Sequence, residues 1–145
     1  MTTNELNIQN KTIVLYGKQL KLKMRDYDFK RIFGAHLATT AGGTPIHELL
    51  LETMELEPTR LFGIQTERII VNFTDHELTD VEVEFEGDGT ANFEKIKELI
   101  YPLFPKGRFA EIANQFLEYE DELYTIWLRT YEEDGCCLFE ISDMN

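Results

Sequence analysis

Strict alternation of apolar and acidic residues is the sequence feature that most constrains the fold. In residues 80–86, Val81, Val83 and Phe85 each stand between two carboxylates. Successive side chains on a β-strand point to opposite faces of the sheet, so a period of two is typical of a half-buried strand. The segment therefore predicts a strand with one face in the core and one acidic face in solvent.

Two β-hairpins follow from patterns of this kind. Residues 12–16 are apolar and β-branched, residues 17–19 suit a turn, and residues 20–25 alternate between apolar and basic side chains. Residues 67–73 have the composition of a buried strand, and a polar loop separates them from residues 80–86. The sequence thus predicts one hairpin at the N-terminus and a second in the middle of the chain, with a final short strand over Cys136–Ile141.

Four segments predict helices, because their apolar residues recur at three- and four-residue steps. The helices are expected over residues 27–39, from Pro45 to Met54 behind a Thr44 cap, over residues 93–104 behind an Asn92 cap, and from Phe109 to Tyr131. The last of these is the longest.

These elements together predict an α+β fold. An antiparallel sheet made from the two hairpins is expected to pack against about four helices, the last one long. A chain of 145 residues fits a single domain over residues 1–145, with residues 1–10 frayed. Ten phenylalanines and 43% hydrophobic residues argue against disorder in spite of the charge.

Charge is distributed unevenly along the chain, whose net charge is −13. Residues 1–36 hold seven Lys or Arg and three Asp or Glu, whereas the rest of the chain holds 7 basic and 24 acidic side chains. A field this negative repels nucleic acid and anionic membrane and attracts basic protein surfaces. No signal pattern or long apolar run is present in the sequence, so we expect a cytoplasmic protein that does not act at a membrane.

The acidic residues concentrate in residues 75–88 and residues 118–134. We expect a partner to contact acidic side chains from both stretches, together with one aromatic residue that lies off the apolar stripe of the long helix. These residues are Glu82, Glu84, Glu86, Glu118, Tyr119, Glu120, Asp121 and Glu122.

A regular array of carboxylates can imitate the phosphates of a nucleic acid and occupy the basic groove of a nucleic-acid-binding protein. Small acidic inhibitors encoded by phages and mobile elements are similar to this chain in size and charge. The sequence thus predicts a non-enzymatic acidic binding protein, and the most specific form of this prediction is a phage or mobile-element inhibitor that mimics nucleic acid.

Other interpretations of the charge stay open at this stage. The chain can instead be a chaperone-like assembly protein that oligomerises or binds an apolar surface, or an acidic immunity or antitoxin protein. The acids can also form a solvated surface, or the basic row of Lys21, Lys23 and Arg25 can neutralise residues 80–86 across the sheet. The oligomeric state cannot be derived from the sequence.

Residues with catalytic potential are sparse. Ser142 is the one serine, near the C-terminus, and the acids before Cys136 and Cys137 disfavour a thiolate. We expect the two cysteines to be reduced thiols in a buried strand. The three histidines lack metal-ligand spacing, and His76 is expected in a loop with a raised pKa. The sequence therefore predicts no catalytic, metal or cofactor site.

Overall fold

The fold is dominated by antiparallel β-sheet. The computed structural model describes residues 6–7, 11–40, 44–46, 49–103, 109–112, 115–120, 124–131 and 136–143. Strands make up 59% of the structure, and this described part of the chain contains two α-helices. The predicted α+β fold with about four helices is therefore wrong.

The N-terminal segment forms a small antiparallel sheet. Its strands are β1 (Leu6–Asn7), β2 (Thr12–Leu15) and β3 (Lys18–Lys21). Tyr16 and Gly17 connect β2 to β3 with φ angles of 55° and 72°. Positive φ at both central residues is the mark of a tight hairpin turn whose twist matches the strands. The first predicted hairpin is thus confirmed.

The rest of the strands build a large sheet. They are β4 (Leu37–Thr40), β5 (Thr44–Ile46), β6 (Leu49–Leu56), β7 (Arg60–Leu61), β8 (Ile64–Thr74), β9 (Glu77–Phe85), β10 (Phe109–Ile112), β11 (Phe116–Glu120), β12 (Tyr124–Tyr131) and β13 (Cys136–Asp143). The strand order is β10-β11-β12-β13-β9-β8-β6-β4, with β5 paired to β6 and β7 paired to β8. All pairs are antiparallel, and the second predicted hairpin is β8–β9.

Two α-helices pack on this sheet. They are α1 (Asp26–Phe33) and α2 (Gly89–Ile100), each followed by a single 3-10 turn, at Gly34–His36 and Tyr101–Leu103. The Asp88 carboxylate, rather than Asn92, caps α2, because it accepts hydrogen bonds from the backbone N–H groups of Thr90 and Ala91. Neither helix is long and apolar enough to cross a membrane.

Two predicted helices are strands in the structure. The segment from Pro45 to Met54 forms β5 and most of β6, and the segment from Phe109 to Tyr131 contributes β10, β11 and β12. In β12 the buried residues Ile126 and Leu128 alternate with half-buried ones. Threonine, isoleucine and aromatic residues fill this strand, and such residues pack well on a pleated surface. Sheet pairing outweighs the three- and four-residue spacing.

The core lies on one face of the large sheet. Phe29 of α1 packs edge-to-face on Phe73 of β8, with ring centroids 5.2 Å apart. Phe62, from the turn after β7, packs likewise on Phe139 of β13 at 5.3 Å. The apolar faces of α1, α2 and the small sheet all join this one cluster. The opposite face of the sheet carries mostly polar residues, together with Ile70, Phe116, Trp127 and Leu138.

The basic row does not neutralise residues 80–86. Over residues 80–85, β9 has β8 on one side and β13 on the other, and the segment after β3 pairs only with the first residues of β9, Glu77 and Leu78. Lys23 instead approaches Asp143 at the end of β13, with 3.6 Å between nitrogen and oxygen. The alternative in which Lys21, Lys23 and Arg25 neutralise residues 80–86 across the sheet is therefore wrong, although Arg25 pairs with Glu77 at the start of β9.

Candidate functional site

The sheet face opposite the core is the candidate site, and we call it the polar face. It consists of every second residue along the central strands, the ones between the buried positions. Its members are Thr53 and Glu55 of β6; Arg68, Ile70 and Asn72 of β8; Asp80, Glu82 and Glu84 of β9; Phe116, Glu118 and Glu120 of β11; Thr125, Trp127 and Arg129 of β12; and Leu138, Glu140 and Ser142 of β13. Carboxylates outnumber guanidinium groups on it by seven to two.

Three carboxylates meet at the centre of the polar face. The sheet register places Glu82 directly opposite Glu140, and Asp80 follows Glu82 on the same face of β9. One carboxylate oxygen from each of the three residues lies within 4.8 Å of the others. We call Asp80, Glu82 and Glu140 the acid cluster. Like charges directly opposite each other on a sheet are destabilising, so this arrangement does not serve the stability of the sheet.

Hydrogen bonds hold Asp80 in place within the acid cluster. The Ser142 hydroxyl donates to Asp80 Oδ1 at 2.6 Å, and the Asn72 amide donates to Asp80 Oδ2 at 2.8 Å. The Thr53 hydroxyl in turn donates to Asn72 Oδ1 at 2.8 Å, which orients the amide. Both oxygens of Asp80 thus accept hydrogen bonds from neighbouring strands, and the carboxylate is fixed on the sheet.

The acid cluster raises the pKa values of its two glutamates. Partial burial, a hydrogen bond with Asp80 and the nearby charges of Asp80 and Glu82 raise the pKa of Glu140 to about 8. Burial and the charge of Asp80 also raise the pKa of Glu82. A carboxyl group whose pKa lies above neutrality keeps its proton at physiological pH. The cluster therefore holds fewer negative charges than carboxylates.

The two guanidinium groups of the polar face contact groups outside the acid cluster and act on its glutamates only through their charge. Arg68 pairs with Glu55, with Nε and Oε1 3.4 Å apart. The Arg129 guanidinium lies 4.3 Å from the centre of the Trp127 ring, at cation–π distance. Within the described residues, no Lys or Arg forms an ion pair with the acid cluster.

Four of the predicted partner contacts lie on the polar face. Glu82 and Glu84 belong to β9, and Glu118 and Glu120 belong to β11. Register links the two strands, because Glu118 pairs with Trp127 and Trp127 pairs with Glu140, next to Glu82. The Trp127 ring nitrogen donates to Glu118 Oε2 at 2.6 Å. The sheet thus brings together acids that are far apart in the sequence.

The other four predicted contacts do not extend this surface. Tyr119 alternates with Glu118 along β11 and is 4% exposed in the core, where a partner cannot reach its ring. The off-stripe position predicted for it depended on a helix that does not form. Glu86 is exposed just after the end of β9. Asp121 and Glu122 lie outside the described residues.

Sequence reasoning missed the two residues that complete the acid cluster, Asp80 and Glu140. Glu140 stands between the buried residues Phe139 and Ile141, and this alternation is the signal that marks it as facing away from the core. Its proximity to Asp80 depends on the pairing of β13 with β9. Ser142, considered only as a nucleophile, is a hydrogen-bond donor to Asp80.

A second group of potential metal ligands lies at the other end of the sheet. Asp26, Glu52 and His76 also place one ligand atom each within 4.8 Å of the others. His76 Nδ1 lies 2.8 Å from Asp26 Oδ2, and Lys30 Nζ lies 3.6 Å from Glu52 Oε2. We call these three residues the paired cluster. Each of its carboxylates has a basic side chain as partner within the protein itself.

The pKa values of the paired cluster reflect this pairing. Burial alone would raise the pKa of Asp26, but hydrogen bonds with His76 and Glu52 lower it. The hydrogen bond to Asp26 and its charge raise the pKa of His76. The raised pKa predicted for His76 is thus confirmed, although Asp26 is the main cause rather than the flanking acids.

The two cysteines lie side by side in β13 as free thiols. Cys137 is buried, and burial raises the pKa of its thiol to about 12. A thiol with so high a pKa is a poor nucleophile near neutral pH. Its predicted position as a small buried residue of a strand is confirmed.

Comparison of the chain with known proteins gave no match to a protein-family model, a curated protein or a solved structure.

Proposed function

We propose that this protein is a non-enzymatic binding protein whose polar face contacts a basic surface of a partner protein. The observation that carries the proposal is the acid cluster, in which Glu82 lies directly opposite Glu140 and no described Lys or Arg completes an ion pair. A protein gains no stability from such an arrangement. Cationic side chains of a partner would supply the missing charge.

The layout of the polar face suits a basic surface shaped for nucleic acid. Carboxylates two residues apart on β9 are separated by about 6.7 Å, and those on neighbouring strands by about 4.8 Å. Such spacing gives a two-dimensional array of negative charge on a rigid support. We therefore propose a nucleic-acid-binding protein as the partner, with the polar face taking the place of the phosphates. Free thiols fit the reducing cytoplasm as its location.

A pair of charge-matched variants tests the proposal. The face variant carries Glu82→Gln, Glu84→Gln and Glu120→Gln. The control variant carries Glu57→Gln, Asp75→Asn and Glu98→Gln, which removes the same number of charges from exposed positions away from the polar face. Isothermal titration calorimetry with an oligoarginine peptide compares the two variants with the unmodified protein.

We expect the face variant to bind the peptide at least about tenfold more weakly than the control variant, since each lost contact weakens binding by about 0.2–1 kcal/mol. Binding should also weaken between about 50 mM and about 500 mM salt, because salt screens exposed charges. Equal losses in both variants would show that net charge alone attracts the peptide, and would overturn the proposal.

The identity of the partner class has its own test. Protamine bound to labelled duplex DNA serves as a defined basic nucleic-acid-binding protein. The unmodified protein and the control variant should release the DNA at lower concentrations than the face variant. Release at equal concentrations by all three proteins would contradict the proposed imitation of nucleic acid.

A further inference from the structure

Aromatic rings hold the Arg129 guanidinium in place on the polar face. Trp127 and Arg129 are two residues apart on β12, so their side chains project from the same side of the sheet. The guanidinium carbon lies 4.3 Å from the centre of the Trp127 ring and 5.7 Å from the centre of the Phe116 ring. Trp127 is itself fixed, because its ring nitrogen donates to Glu118 Oε2 at 2.6 Å. The guanidinium is thus positioned by ring contacts.

The described fold does not supply Arg129 with a hydrogen-bond acceptor or a counter-ion. Its Nε is buried and has no hydrogen-bond partner among the described residues. In the same part of the chain Arg129 forms no ion pair, although Glu118 and Glu140 flank Trp127 in the sheet register. Arginine has five N–H donors, and leaving a buried donor unpaired is unfavourable. The side chain is half-buried, so an acceptor from outside can reach it.

The other guanidinium of the polar face shows what Arg129 lacks. Arg68 lies in the same row of the sheet, because Arg129 pairs with Leu138, Leu138 with Glu84, and Glu84 with Arg68. Arg68 has a counter-ion on the neighbouring strand, since its Nε lies 3.4 Å from Glu55 Oε1. The polar face carries seven carboxylates, yet none of them forms an ion pair with Arg129. Arg68 is therefore a structural pair member, whereas Arg129 is left for a ligand.

The surroundings of Arg129 define the chemistry of that ligand. A planar guanidinium matches the two oxygens of a carboxylate or a phosphate. The seven carboxylates of the polar face repel a free anion or a nucleic acid, so the acceptor has to arrive on a basic surface. Phe116 and Leu138 pair with Arg129 on either side and are half-buried. Tryptophan and arginine are the residue types most often found at the energetic centre of protein interfaces.

We propose that Arg129 is a specificity-determining residue of the polar face, which binds an aspartate or glutamate side chain of the basic partner. This inference rests on the proposed function and names the kind of basic surface that the face selects. A surface of lysine and arginine alone places like charge against Arg129, whereas a carboxylate among the basic groups matches both signs. Glu118 and Glu140 stand one step along the strands, about 6.7 Å away, where the partner's basic groups bind.

A double-mutant cycle between protein and peptide tests the inference. One peptide is oligoarginine with a single glutamine at its centre, and the other has glutamate at that position. The proteins are the unmodified chain, Arg129→Gln and the matched control Arg68→Gln, which removes the other guanidinium of the same face. Calorimetry gives each affinity, and the quantity compared is the affinity for the glutamate peptide divided by that for the glutamine peptide.

We expect Arg129→Gln to lower this ratio about fivefold or more, and Arg68→Gln to change it by less than about twofold. Should Arg129→Gln fail to fold, Arg129→Lys replaces it, and a decrease of about twofold or more is expected because an ammonium group cannot form two parallel hydrogen bonds.

The two proposals can fail separately. A ratio that is equal in all the proteins, or that falls equally in Arg129→Gln and Arg68→Gln, would overturn this inference and leave the proposed function intact. Equal binding of the glutamine peptide by the face and control variants would overturn the proposed function.

Discussion

The acid cluster and the paired cluster use the same type of side chain to opposite effect. Each brings two or more carboxylates together so that three potential ligand atoms lie within 4.8 Å. In the paired cluster, Lys30 of α1 supplies positive charge to Glu52, and His76 in the turn after β8 is hydrogen-bonded to Asp26. In the acid cluster, carboxylates face each other across β9 and β13, and no described Lys or Arg forms an ion pair with them.

The difference separates a structural site from a binding site. The paired cluster connects α1, β6 and the β8–β9 turn, and the fold itself supplies the cations that stabilise it. The acid cluster connects strands that are already paired through their backbones, so its charges are not needed to hold the sheet together. We infer that removing charge should destabilise the protein at the first cluster and not at the second.

The largest effect on stability is expected from Asp26→Asn. The side chain of Asp26 is 12% exposed and accepts a hydrogen bond from His76. Loss of this hydrogen bond to a carboxylate should lower the free energy of unfolding by about 1–2 kcal/mol near neutral pH. Urea denaturation measures this change in the free energy of unfolding. The difference should fade as the pH falls through the lowered pKa of Asp26, because the native carboxylate is then protonated as well.

Asp28→Asn is the matched control for this substitution. Asp28 lies in the same turn of α1 and forms an ion pair with Arg31, but it is more exposed. Its replacement should lower the free energy of unfolding by less than about 0.5 kcal/mol. Equal losses in the free energy of unfolding for the two substitutions would contradict the distinction between the paired cluster and an ordinary surface charge.

A smaller effect on stability, of opposite sign, is expected from Glu140→Gln. The pKa of Glu140 is raised in the folded protein, so the native state binds more protons than the unfolded state and stability falls as pH rises from about 4.5 to about 8. Glutamine has nearly the same shape as glutamate but cannot become negatively charged. Above about pH 8 the variant should be more stable than the unmodified protein by up to about 1 kcal/mol, after allowance for solvent screening, and the difference should shrink toward pH 5. Destabilisation at high pH would contradict the account.

Much of the strand pattern could be predicted from the sequence, because alternation is a local property. The acidic strand β9, the first hairpin and α2 were predicted within a few residues. The segment from Phe109 to Tyr131 was not, because its apolar residues also match a helical spacing. The aromatic and β-branched content of β12 was the better guide there. Strand β6 is rich in leucine, glutamate and methionine, which favour helices, and pairing with β8 overrides that preference.

The candidate site could be predicted only in part, because some of its contacts depend on strand pairing and not on a local sequence pattern. Glu82 and Glu84 were identified, because they share one face of one strand. Glu140 was not, since its place opposite Glu82 depends on which strand pairs with β9. The pairing of β13 with β9 is determined by the whole sheet, and no sequence pattern near either residue indicates it. Tyr119 was assigned to the surface because its position was derived from a helix, whereas a strand turns it into the core.

Chemical-shift mapping with oligoarginine tests the central claim most directly, since the two clusters compete for the peptide within one molecule. Amide spectra recorded during a peptide titration should show the largest changes in β9 and β13, around Glu82 and Glu140, and little change around Asp26 and His76. Changes centred on the paired cluster, or spread evenly over all acidic residues, would contradict the claim that the fold leaves the acid cluster without an ion-paired cation.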